Sequence, residues 1–62
     1  MVTLTIKTGN AAFQPSPEYE INRILLKASK LVLEGKTNFP LYDLNGNVVG
    51  NLNTEPEDNK TG

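Results

Sequence analysis

The dipeptide Asn45-Gly46 constrains this chain more than any other feature. A two-residue hairpin turn needs positive φ at both central positions, and Asn-Gly supplies that at the lowest steric cost. Apolar runs flank it at residues 38–44 and 47–52, so a β-hairpin is expected there. With that turn, Tyr42 opposes Val49 on one face, while Leu41 opposes Gly50 and Phe39 opposes Leu52 on the other, leaving both faces partly apolar. Pro40 has no N–H for a ladder, which places its strand at a sheet edge.

Upstream, Val2, Leu4 and Ile6 alternate with Thr3, Thr5 and Lys7, the period-two pattern of a strand with one buried and one wet face. Ser16-Pro17-Glu18 then reads as a helix start. Serine is a good cap, proline suits the first helical position, and Glu18 and Glu20 lie at the positive end of the dipole. The expected helix spans residues 17–34 and ends at Gly35. Its core stripe comprises Ile21, Ile24, Leu25, Ala28, Leu31 and Val32, within an arc of about 120°. Phe13, in the connection before the helix, is expected to plug one end of the core, the alternative being an exposed binding anchor.

The order strand, helix, strand, strand predicts an α+β fold: a three-stranded antiparallel sheet, third strand in the middle, with one helix packed on one face. The other sheet face is left uncovered. Residues 1–52 form this single small domain. Residues 53–62 carry no apolar side chain, and three acidic residues against one lysine, and are expected to be a disordered acidic tail.

A chain of 62 residues holds one core at most. With no His, Cys or Trp it also lacks disulfides, structural zinc, the usual near-neutral general base and the thiolate nucleophile. Stability must come from packing, turns or a second subunit. The net charge of -1 announces no polyanionic partner. The absence of a signal-like start or a span of about 20 apolar residues makes a cytoplasmic protein the expectation, with no membrane partner.

Catalytic, metal and cofactor sites are not expected. Asp43, Asn45 and Asn47 occupy the first, third and fifth positions of a calcium-loop pattern, but the sixth is Val48 and the twelfth Thr54, where Gly and a bidentate Glu belong. Glu18 and Glu20 begin the helix and Glu34 ends it, so no carboxylate pair converges. Ser16 and Ser29 have no base other than lysine. Gly9 is not followed by a phosphate-loop ending.

Two helix surfaces remain. Arg23, Lys27 and Lys30 form a short basic ridge, shared with Glu20 and Glu34 on what reads as the solvated helix back. Tyr19, Leu26 and Leu33 recur every seven residues outside the core arc, so either strand ends wrap round to this stripe or a partner covers it. These six residues are the candidate protein-binding site. The stripe also suggests a homodimer in which two such flanks cover one another.

Taken in order, Thr8-Gly9-Asn10-Ala11-Ala12-Phe13, Glu20-Ile21-Asn22-Arg23-Ile24-Leu25, Leu33-Glu34-Gly35 and the run from Asp43 to Gly50 resemble a group of small proteins encoded by bacteriophages and prophages. The resemblance spans about residues 2–52 and implies a phage context, with no site residue carried over. In that context the expected function is a non-catalytic module that binds and modulates or inhibits a host protein, through the uncovered sheet face or the helix stripe. The alternatives are a small dimeric nucleic-acid-binding protein, which the sparse basic ridge disfavours, and a structural or accessory phage protein.

Overall fold

A computed structural model of the chain describes residues 1–56. Strand β1 (Val2–Ile6) leads through a single 3-10 turn (Ala11–Phe13) and a cis Gln14-Pro15 bond to helix α1 (Pro17–Leu33), followed by β2 (Asn38–Tyr42) and β3 (Val48–Thr54). All pairings are antiparallel and the sheet order is β1-β3-β2, so the third strand is central and Pro40 lies on an edge strand. The α+β arrangement of one helix on a three-stranded sheet is the one the sequence predicts.

The helix start departs from expectation. Pro17 is in the first turn, but the Ser16 side chain makes no capping bond; its carbonyl instead accepts the Tyr19 N–H at 3.3 Å. The end is a Schellman motif. Gly35 adopts φ +94°, its N–H bonds the Val32 carbonyl at 3.0 Å, and the Lys36 N–H bonds the Leu31 carbonyl at 3.1 Å.

The hairpin forms with a different turn. The Asp43 carbonyl accepts the Gly46 N–H at 3.0 Å and the Asp43 N–H donates to Asn47 at 2.9 Å, enclosing the three residues Leu44, Asn45 and Gly46. Only Gly46 has positive φ, at +86°, whereas Asn45 does not. This is a three-residue loop with glycine in the left-handed position, the next most favoured hairpin solution. The register follows: Phe39 pairs with Leu52 and Leu41 with Gly50 as expected, but Tyr42 pairs with Val48, not Val49. Val49 is thereby bulged and turned inward, becoming buried while Val48 faces solvent.

The core comprises Phe13, Ile24, Ala28, Phe39, Leu41, Val49 and Leu52, with Ile6, Ala12, Ile21 and Leu31 packed at its margin. Phe13 is the one fully buried large side chain among the described residues and plugs the core as anticipated. The core stripe of α1 is narrower than the apolar arc in the sequence. Leu25 and Val32 remain 42% and 43% exposed, as does Leu4 at 38%, and Val2 is more exposed still. The reason is placement. Helix α1 makes its main contacts with the 3-10 turn and β2, and Leu25 and Val32 lie on the flank of the helix turned away from the β2 groove.

The uncovered sheet face also differs from expectation. Register puts Thr3, Asn53 and Asn38 in one row and Thr5, Asn51 and Pro40 in the next, so its centre is polar rather than apolar. Asn51 spends its amide on Asn38 Oδ1 and the Phe39 carbonyl. At the C-terminal end, β3 continues to Thr54, two residues into the segment expected to be tail. Glu55 exchanges backbone bonds with Met1, at 2.9 and 2.7 Å, and Thr54 donates to the Thr37 carbonyl at 2.7 Å. The remainder of the expected tail, residues 57–62, lies outside the described residues.

Candidate interaction surface

Among the described residues two acidic side chains are buried, Glu20 and Asp43, and both serve the hairpin. Glu20 is 6% exposed because it falls on the side of α1 that faces the loop. Its carboxylate receives a bidentate pair from Arg23, Nε at 2.9 Å and Nη2 at 2.8 Å, and also accepts the Leu44 N–H at 2.8 Å. Arg23 Nη2 reaches on to the Tyr42 carbonyl at 3.1 Å, so one ion pair ties the helix to the end of β2 and the start of the loop. The Arg23 bonds hold the Glu20 carboxyl below its ordinary range despite burial, with the Leu44 N–H adding to them. The same bonds raise the Arg23 guanidinium.

Asp43 is 3% exposed. Its two oxygens accept the Asn45 N–H (2.8 Å), the Asn47 N–H (2.9 Å), the Asn47 amide (3.2 Å) and the Asn10 amide (2.8 Å). Burial pushes this carboxyl up, but the Asn47, Asn10 and Asn45 donors outweigh it and keep it low. Asn10 completes the lattice by accepting the Ala12 N–H at 2.8 Å, so the 3-10 turn carrying Phe13 is pinned to the hairpin loop. The residues that matched part of a calcium pattern thus form a turn in which Asp43 is saturated by N–H donors. Among the described residues, no group of three acidic side chains gathers to hold a metal ion.

This corrects the reading of the helix back. Glu20 is not on a solvated face, and Arg23, though its side chain is still 44% exposed, is committed to it, so Lys27 and Lys30 are the other exposed cations of the ridge. Beside them, Leu26, Leu31 and Glu34 line a shallow depression with Arg23. A deeper groove runs between α1 and β2, floored by Ile24, Leu31, Phe39 and Leu41 and closed at one end by Leu44.

The apolar stripe stands as the sequence places it. Tyr19, Leu26 and Leu33 are 75%, 60% and 89% exposed, on the helix face turned away from the sheet, and no strand end wraps round to them among the described residues. Lys30 projects roughly 40° from Leu26 around the helix, so the stripe has a basic border. In the sequence Glu20 reads as part of the solvated back of the helix, and Asp43 stands out only as part of a broken calcium-loop pattern. The available signal was the Asp-x-Asn-Gly pattern, in which Asp at the first position of a turn bonds the backbone two residues on.

Compared with family models, curated proteins and solved structures, the chain matches none. Among the described residues, no helix is long and apolar enough to cross a membrane.

Proposed function

We propose that this protein acts by binding another protein, non-catalytically, with the outer face of α1 as its contact surface. The observation that carries this reading is the Tyr19-Leu26-Leu33 stripe. Three large side chains in line on one helix remain largely in solvent, on the side opposite the buried face of Glu20, Ile24 and Ala28. An aromatic and two leucines at seven-residue spacing, bordered by Lys27 and Lys30, match an apolar centre with a charged rim. The polar side chains that could have supplied chemistry, Glu20, Arg23 and Asp43, are occupied in holding the fold. The phage resemblance makes a host protein in the bacterial cytoplasm the partner to test first, with modulation or inhibition as the outcome of binding.

The test is recovery of a tagged copy from host bacteria, alongside a Leu26→Lys, Leu33→Glu variant. The expected result is one co-purifying protein in near-equal amount, lost in the variant while its circular dichroism and thermal transition are kept. Equal recovery with both forms would refute this face as the contact surface. A partner removed by raising salt together with nucleic acid would support the nucleic-acid alternative instead.

A further inference from the structure

The free edge of β1 is built to receive a strand. Met1 and Glu55 exchange backbone bonds, and the Lys7 N–H donates to Val49 at 2.7 Å. Hydrogen-bonded pairs alternate along an antiparallel ladder, so Thr3 with Asn53 and Thr5 with Asn51 are the intervening bonded pairs. The N–H and C=O groups of Val2, Leu4 and Ile6 therefore point away from the sheet, and among the described residues no strand lies beyond them. The opposite edge is blunted: Pro40 has no N–H and the Tyr42 carbonyl is taken by Arg23. An edge strand left open, flanked by half-exposed Leu4, Leu25 and Val32 and the still more exposed Val2, is the feature that proteins ordinarily protect.

We propose that a second copy of this chain pairs antiparallel with β1 about a twofold axis at Leu4, continuing the sheet across both copies. The sequence of β1 is self-complementary in that register. Val2 falls opposite Ile6 and Leu4 opposite Leu4 on the helix side, while Thr3 falls opposite Thr5 on the polar side. Lys7 of one copy comes beside Met1 of the other, whose terminal ammonium is already bonded to the Glu55 carbonyl, whereas in-register parallel pairing would stack Lys7 on Lys7 along the strand. The Leu25 and Val32 flank of α1 lies on the side away from the β2 groove, so a twofold at the β1 edge turns the two half-exposed flanks toward one another. A net charge of -1 opposes association little. The outer stripe of α1 stays free in such a dimer, so this inference stands apart from the partner-binding surface.

The experiment is sedimentation equilibrium over a wide concentration range, with amide hydrogen exchange on the same samples. The expected result is a dimer mass at high concentration, and protection of the Leu4 and Ile6 amides that rises with it, while Thr3 and Thr5 are protected throughout. Leu4→Pro removes a donor the monomer's ladder does not use and should give folded monomer. If that variant does not fold, Val2→Lys, at an exposed position, should weaken the dimer about tenfold or more. The Leu26→Lys, Leu33→Glu variant should dimerise normally. A single-copy mass at millimolar concentration overturns the proposal, as does Leu4 and Ile6 exchange independent of concentration. A dimer abolished by the Leu26 and Leu33 changes but kept in Val2→Lys overturns it too, and assigns self-association to the outer stripe.

Discussion

The carboxylate of Glu20 accepts the backbone N–H of Leu44 at 2.8 Å, joining the first turns of α1 to a loop 24 residues later. That bond, with the Arg23 pair beside it, fixes how the helix meets the hairpin. It also makes the hairpin loop sensitive to the charge of one buried side chain.

Acid should loosen this corner first. Glu20 and Asp43 both have carboxyls lowered from ordinary values of 4.5 and 3.8. A carboxylate depressed in the folded state contributes stability that is complete above its unfolded value and lost as pH falls through the folded one. Urea midpoints should therefore hold steady above about pH 5 and decline below it. Glu20→Gln with Asp43→Asn should lower the neutral-pH midpoint and flatten the acid decline, as read from urea titrations across pH.

Gly50 is required by close approach of the strands, not by its backbone angle. A Cβ there would collide with the Thr5 carbonyl of the neighbouring strand. Gly50→Ala is expected to cost about 1–3 kcal/mol, as overpacking does, and to act on the β1 seam. Amide exchange should show Thr3 and Thr5 losing protection before the β2-β3 amides do.

Gly46→Val should destabilise by about 1 kcal/mol or more, because φ +86° excludes a β-branched side chain although the surrounding space is open. Denaturant titration measures it. An unchanged midpoint would contradict the loop geometry.

Phe13→Ala removes the most deeply buried side chain and should cost about 3–5 kcal/mol, comparable to the whole stability expected of a staple-free domain this small. The variant is expected to lack a cooperative thermal transition in calorimetry.

Removing residues 53–62 should lower the melting temperature, because Asn53 and Thr54 pair with β1 and β2 and Glu55 bonds Met1. Composition alone suggests the opposite outcome, since no apolar group is lost. Thermal denaturation of the two chains decides between them.

The element order, the central position of the third strand, the helix end at Gly35 and the role of Phe13 were legible in the sequence. All but the strand order rest on a local rule: period-two or period-3.6 patterning, a residue tolerant of positive φ, or an aromatic too apolar for a loop. The middle place of the third strand is an expectation of topology, from one helix covering one face and Pro40 at an edge. The outer stripe of Tyr19, Leu26 and Leu33 was legible for the same reason, since its separation from the core face follows from helix geometry alone.

Local rules did not reach the contacts made across the chain. Glu20 reads as a solvated residue and a favourable charge in the first helical turn. Its burial depends on the loop after β2 passing within hydrogen-bond distance, 24 residues away. The same holds for Asp43, whose carboxylate needs Asn10 from the other side of the helix. The bulge at Val49 follows from a loop of three residues rather than two, a choice Asn-Gly permits either way.

What the sequence by itself determined is which segments form helix and strand and in which order they follow one another, because those depend on neighbours a few residues apart. Only the tertiary structure decided that α1 sits toward β2. That placement buries Glu20 and Ile24 and leaves Leu25 and Val32 in solvent, while the strand order β1-β3-β2 leaves the outer edge of β1 open. The physical reason is that a helix with an apolar arc of about 120° can rest on either half of a three-stranded sheet, and the polar lattice of Glu20, Arg23, Asp43 and Asn10 selects one.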